Sequence, residues 1–259
     1  MTHLPAMAAS PYSVAKMTFG EIEAYIKENP AIILPLGATE PCTEYAALGA
    51  SSLCCAALAN ALSEKRGILL APMVTYGYSA GFKAFAGCAA ISQKTLAAVL
   101  YNLMRSWTGQ GVNTFIIIDG TYNNIESVSE ATKRLLACHK EARCQVLNWN
   151  HISEVRSFIA QKHEGVEFGV SQVGLLSMAA YLDAGYVRPA LKKARPITVS
   201  QDEFKRWRKM GGDPEKFRKL FPDARMSDSA GDYSAEFGRT LFSCITTAFE
   251  SAIARELNL

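Results

Sequence analysis

Short, wholly apolar runs alternate along this chain with longer segments whose apolar residues recur every three or four positions. Ala31 to Leu36 is such a run, ended by Gly37, and predicts a strand buried on both faces. Gly67 to Val74, Asn113 to Ile118 and Cys144 to Trp149 predict three more strands. Thr18 and Glu21 have capping-box spacing and open a helix reaching Glu28. Further helices are predicted over Ser51 to Glu64, from a Ser92 cap to Trp107, and over Glu126 to His139. Three more follow over Ser153 to Gln161, Val173 to Leu182 and Ser234 to Leu257.

Strands alternating with helices imply an α/β fold, a single domain with a mostly parallel central sheet and helices on both faces. No internal repeat or low-complexity linker divides residues 1–259. The irregular stretch Pro196 to Ser229, with Gly211-Gly212-Asp213-Pro214 and Phe221-Pro222-Asp223, is expected to be an insertion or lid. Ligands of such sheets gather at the carboxyl ends of the strands. There the chain would bring together Glu40 and Cys42, the segment Tyr76 to Lys83, and the segment Asp119 to Asn124.

Composition narrows the partners. With 259 residues, 49% hydrophobic and 20% charged, the chain has an ample core and no signature of disorder. A net charge of +3 is too small to argue for nucleic acid or an anionic membrane. The basic run Lys205 to Lys209 is interspersed with Asp202, Glu203, Asp213 and Glu215, which suits a solvated helix face. Seven cysteines in no framework spacing point to reduced thiols in a cytoplasmic protein. The N-terminus does not look like a signal peptide, and no apolar run approaches the roughly 20 residues of a membrane span.

The residues at the strand ends suggest chemistry. Glu40, just past a buried strand, is the candidate general acid or base; its bland alternative is capping the following turn. Cys42 is a candidate nucleophile, with Lys83 as the local cation that would favour its thiolate. It is equally well a small side chain filling space. Tyr45, Tyr78 and Tyr122 are candidate donors to a substrate carbonyl, or amphipathic wall residues. Asp119, Thr121, Asn123 and Asn124 cap the turn and the next helix or line the pocket, with capping favoured for Asn124.

Five segments carry a family resemblance. Leu34-Pro35-Leu36-Gly37 through Ser51 resembles the first active-site loop, L-P-x-G-S-x-E-x-H-G-x-H-L-P-x-x-T-D, of the creatininase-like amidohydrolases. Tyr76-Gly77-Tyr78-Ser79 with Phe85-Ala86-Gly87-Cys88 is similar to its Y-G-x-S…F-P-G-T loop. Asp119 to Asn124 resembles N-G-H-Y-E-N, the segment around Phe168 to Val173 stands where the family has H-A-G-x-x-E-T-S, and Ala230 to Gly238 resembles G-D-P-x-x-A-T-x-E-x-G.

The resemblance implies a hydrolase of C–N bonds in small cyclic or formylated compounds, assembled as a hexamer. It also implies two divalent ions held by histidine and carboxylate. Of that ligand set only Glu40 is retained. Cys42, Tyr45, Ser51, Thr121, Asn123 and Phe168 stand at the other positions, with Val173, or Gln172 after a one-residue slip, at the last. The expectation is therefore an amidohydrolase-like enzyme without metal or other cofactor, acting on a small polar nitrogen-containing metabolite. Glu40, Cys42 and Lys83 would be catalytic, and Tyr45, Ser51, Tyr78, Asp119, Thr121, Tyr122 and Asn123 would bind substrate. The alternative is an inactive member that binds a small ligand or assembles with an active paralogue.

Overall fold

The computed structural model describes residues 9–162, 172–194, 200, 202, 213–226 and 228–257. Helix α1 (Phe19–Glu28) starts at a capping box in which the Thr18 and Glu21 side chains each bond the other's backbone N–H. Strand β1 (Ala31–Leu36) is buried at every position. Helix α2 (Ala50–Arg66) ends at Gly67, whose φ of 63° gives the left-handed C-terminal turn that glycine adopts without strain. After β2 (Leu69–Leu70) come α3 (Gln93–Thr108), capped by Ser92, then β3 (Thr114–Asp119), α4 (Ile125–Cys138) and β4 (Arg143–Leu147). Helices α5 (Ser153–Lys162), α6 (Gln172–Leu182), α7 (Pro214–Leu220) and α8 (Ala235–Leu257) follow.

The four strands form one parallel sheet in the order β2-β1-β3-β4. Side chains alternate across it, as the pleat requires. Ile33, Ile116 and Ile118 face a core built with α2, α6 and α8. Ile32, Leu34, Phe115 and Ile117 face a second core built with α1, α3 and α4. The expected strand over Gly67 to Val74 is shorter than its apolar run. Pro72 has no N–H to give to the ladder, so pairing shrinks to Leu69–Leu70 and two isolated bridges, Leu36 with Val74 and Ser13 with Leu70.

Part of the expected lid lies outside the described residues, including the basic run Lys205 to Lys209. The described part contains α7, which Asp213 caps through its carboxylate. Phe217 of α7 is fully buried, its ring edge-on to Phe82 and Phe85, so α7 packs on the loop that carries Ser79 and Lys83. No helix among the described residues is long and apolar enough to cross a membrane.

Candidate active site

Three loops meet at the carboxyl ends of β1, β2 and β3, and the Asn124 side chain ties them together. Its Nδ2 donates to Gly37 O at 3.3 Å and to Asp119 Oδ1 at 3.1 Å, and its Oδ1 accepts from Tyr78 N at 2.9 Å. The approach is so close that a Cβ on Gly77 would stand 2.6 Å from Asn124 Oδ1 and 2.7 Å from Gly37 O. Asn124 makes no side-chain cap to α4. The capping role expected for it gives way to a loop-joining one.

Glu40 sits against this knot. Its Oε2 accepts from Ser79 Oγ at 2.5 Å and from Asn123 Nδ2 at 3.4 Å. Burial pushes its carboxyl up to about 7, and the bonds from Ser79 and Asn123 pull the other way without cancelling that effect. Asp119 is buried at the end of β3 and bonded by Thr121 N and Asn124. Burial, and secondarily the Glu40 charge, pushes it up to about 7 as well. Two carboxyls thus lie close together, each near the point of half-protonation at neutral pH, a condition suited to general acid–base work.

The remaining expected site residues divide. Asn123 reaches Glu40. Thr121 is buried, donates to Asp119 Oδ1 from its backbone and hydroxyl, and takes Asn148 Nδ2 on its carbonyl at 2.5 Å. Ser51 is buried and its Oγ has no partner. Tyr122 stacks on exposed His151 at 5.5 Å between ring centroids. Tyr78 is half-buried against the α3–α4 core. Tyr45 packs on the other core, and its hydroxyl is pushed up first by a hydrogen bond to Glu44.

Two expectations need correction on physical grounds. Burial first, and then the Glu40 charge, pushes the Cys42 thiol up to about 12, so it keeps its proton at neutral pH. Lys83 does not offset this: its side chain is exposed, and the thiol on which its charge acts is that of Cys88. Sequence reasoning also passed over Ser79, whose signal was its place in Tyr76-Gly77-Tyr78-Ser79. Gln172, the alternative to Val173 at the last ligand position, donates from Nε2 to Cys42 O at 2.6 Å and to Ala224 O at 3.3 Å, while its Oε1 accepts from Met226 N at 2.8 Å. Val173 lies instead in the core, which settles which of the two faces the loops. Phe168 is outside the described residues.

Fold and site together define a parallel α/β scaffold with two carboxyls, both pushed up by burial, at its strand ends. A family model for creatininase (creatinine amidohydrolase) matches residues 15–253, and the chain belongs to that family. A creatinine amidohydrolase from Pseudomonas putida is 25% identical over 132 residues, 47% of this chain and 51% of that protein. A mycofactocin precursor peptide peptidase from Mycobacterium ulcerans (strain Agy99) is 27% identical over 122 residues, 44% of this chain and 48% of that protein. The aligned regions thus span about half the length of these curated relatives. A crystal structure of creatininase superimposes with a TM-score of 0.78 at 21% identity, covering 95% of this chain and 97% of that one. It shows a shared fold.

The described residues do not fit the two-ion site that the resemblance implies. No three His, Cys, Asp or Glu side chains among them are grouped to hold a metal. The positions matched to ligands carry a thiol at Cys42, a buried hydroxyl at Ser51, and Thr121 and Asn123 committed to the two carboxyls. Neutral hydroxyl and amide groups are poor substitutes for the imidazole and carboxylate donors of a divalent ion.

Proposed function

We propose that the protein acts on an amide-like C–N bond of a small, polar, nitrogen-containing metabolite without a dinuclear metal centre, by hydrolysis or by cyclisation and rearrangement, with Glu40 as general acid–base. The observation that carries this is the Glu40 carboxyl, pushed up to about 7 and held by Ser79 and Asn123 at the sheet's carboxyl end. Ionised, Glu40 takes a proton from the attacking group; protonated, it returns one to the departing nitrogen. Asn123 supplies a neutral polar group beside it, and the names of the curated relatives agree with C–N bond chemistry. Cys42 is assigned to the pocket wall, because a nucleophile of that pKa would need an activating group that its surroundings do not offer.

A binding-only role is the second reading. Gln172 favours it: the side chain nearest the family's last ligand position has both amide atoms committed to backbone groups. Steady-state kinetics of Glu40→Gln and Cys42→Ala, on protein whose metal content has been measured, separate the readings. For a C–N substrate found by screening, Glu40→Gln should lose about 10²- to 10⁴-fold in kcat, and Cys42→Ala should stay within a few-fold. Unchanged turnover in Glu40→Gln sinks the acid–base assignment. Turnover that disappears with chelation and returns with added divalent ions sinks the metal-free one.

A further inference from the structure

Residues 214–226 grip both loops of the candidate site, one from each end. At the helical end, Phe217 of α7 sets its ring edge-on to Phe82 and Phe85, at 5.2 and 6.0 Å between centroids. Arg218 lies over the Phe85 ring and donates from Nη1 to Ala84 O. Phe82, Phe217 and Phe221, with Phe85 packed on them, form a cluster apart from the two cores of the sheet. At the other end the chain turns, and Asp223 organises the turn. Its carboxylate accepts from Arg225 N at 3.1 Å and from Arg225 Nε at 2.6 Å. The turn passes through buried Ala224, whose φ of 60° is left-handed. A residue other than glycine keeps that conformation only where its surroundings hold it. Here the backbone carbonyls are held: Asp223 O accepts from Glu44 N at 2.9 Å, and Ala224 O accepts from Gln172 Nε2, which also donates to Cys42 O.

We propose that residues 214–226 form a clasp that positions Glu40 against Ser79, with Phe217 and Asp223 as the positioning residues. Asn124 joins the two loops at their roots, through Gly37 O and Tyr78 N. The clasp joins them further out. Phe217 holds the loop that begins at Ser79, whose carbonyl accepts from Phe82 N at 3.0 Å. Asp223 holds the loop that begins at Glu40, whose N donates to Leu48 O at 3.1 Å. The bond from Ser79 Oγ to Glu40 Oε2 closes the circuit. Hydrogen bonds weaken steeply with distance and angle, so releasing either end of the clasp lets Ser79 and Glu40 drift apart. A cluster that served packing alone would act on residues 82–88 and leave Glu44 untouched. The kinetic consequence rests on the acid–base role of Glu40; the structural one does not.

The test is amide hydrogen exchange, read residue by residue by NMR on the isotopically labelled full chain. Phe217→Ala is expected to speed exchange of the Glu44 N–H, at the far end of the clasp, about tenfold more than that of Ile117 in β3, which registers global stability. Asp223→Ala should do the same to the Phe85 and Cys88 N–H groups. Phe217→Leu serves if the alanine variant does not fold, with a change of roughly threefold. Exchange that quickens only within residues 82–88 in the Phe217 variant reduces the cluster to local packing and overturns the proposal. On a C–N substrate, Phe217→Leu should lower kcat with KM little changed. It should add nothing in a Ser79→Ala background, because both changes act on one bond. Additive losses also overturn the proposal. Unchanged turnover in Glu40→Gln would instead end the acid–base reading, and exchange would still decide the clasp.

Discussion

At Glu40 two physical effects oppose each other, and their balance sets what the residue can do. Desolvation favours the neutral acid, while Ser79 and Asn123 donate to the ionised form. Removing the stronger donor should therefore move the carboxyl further up. In Ser79→Ala, the acidic limb of the kcat/KM profile is expected to shift to higher pH, with the loss of activity largest below neutrality. An unshifted limb would mean that Ser79 does not control this ionisation. Glu40 itself was legible in the sequence, because an acidic residue directly after a buried strand stands out. Ser79 was visible only as part of a motif, and Lys83 suggested a contact with Cys42 that its exposed position does not make.

Elements were the most legible level, and the reason is local. Burial on both faces gives β1 and β3 continuous apolar runs, and Thr18 and Ser92 cap α1 and α3 within three residues of the groups they bind. How the helices cross was not legible. Gly238 of α8 shows why: a Cβ there would stand 1.9 Å from Ser177 O and 2.8 Å from Met178 N of α6. The two helices meet backbone to side at this point, and neither can yield without moving its axis. Gly238→Ala is expected to cost at least about 2 kcal/mol, measured by urea unfolding. A variant of wild-type stability would show that α6 and α8 can separate freely. Because α6 carries Gln172, the same change should also loosen the Cys42 loop.

For the whole molecule, the raised carboxyls link stability to pH with a definite sign. Folded Glu40 and Asp119 hold protons up to about 7, whereas the unfolded chain releases them near the ordinary values of 4.5 and 3.8. The folded state therefore binds more protons across that interval, and these groups make stability fall as pH rises from about 4 to 7. For Asp119 the contribution is up to about 4 kcal/mol. Urea unfolding at a series of pH values should show the decline in the native chain and a flatter dependence in Asp119→Asn. Equal slopes would mean that Asp119 is not protonated in the folded state.

The sequence by itself determined the α/β alternation, the places of the buried strands β1 and β3 and the position of Glu40 at a strand end. These follow from hydrophobic periodicity and capping, which act within a few residues. Tertiary structure alone decided that β4 lies at the sheet edge, that Ser79 and Asn123 reach Glu40, and that Gln172, not Val173, faces the loops. It also decided that Phe217 is buried against Phe82 and Phe85. Each of these depends on segments tens of residues apart meeting in one place. Desolvation, which governs both carboxyls and the Cys42 thiol, exists only once they have met.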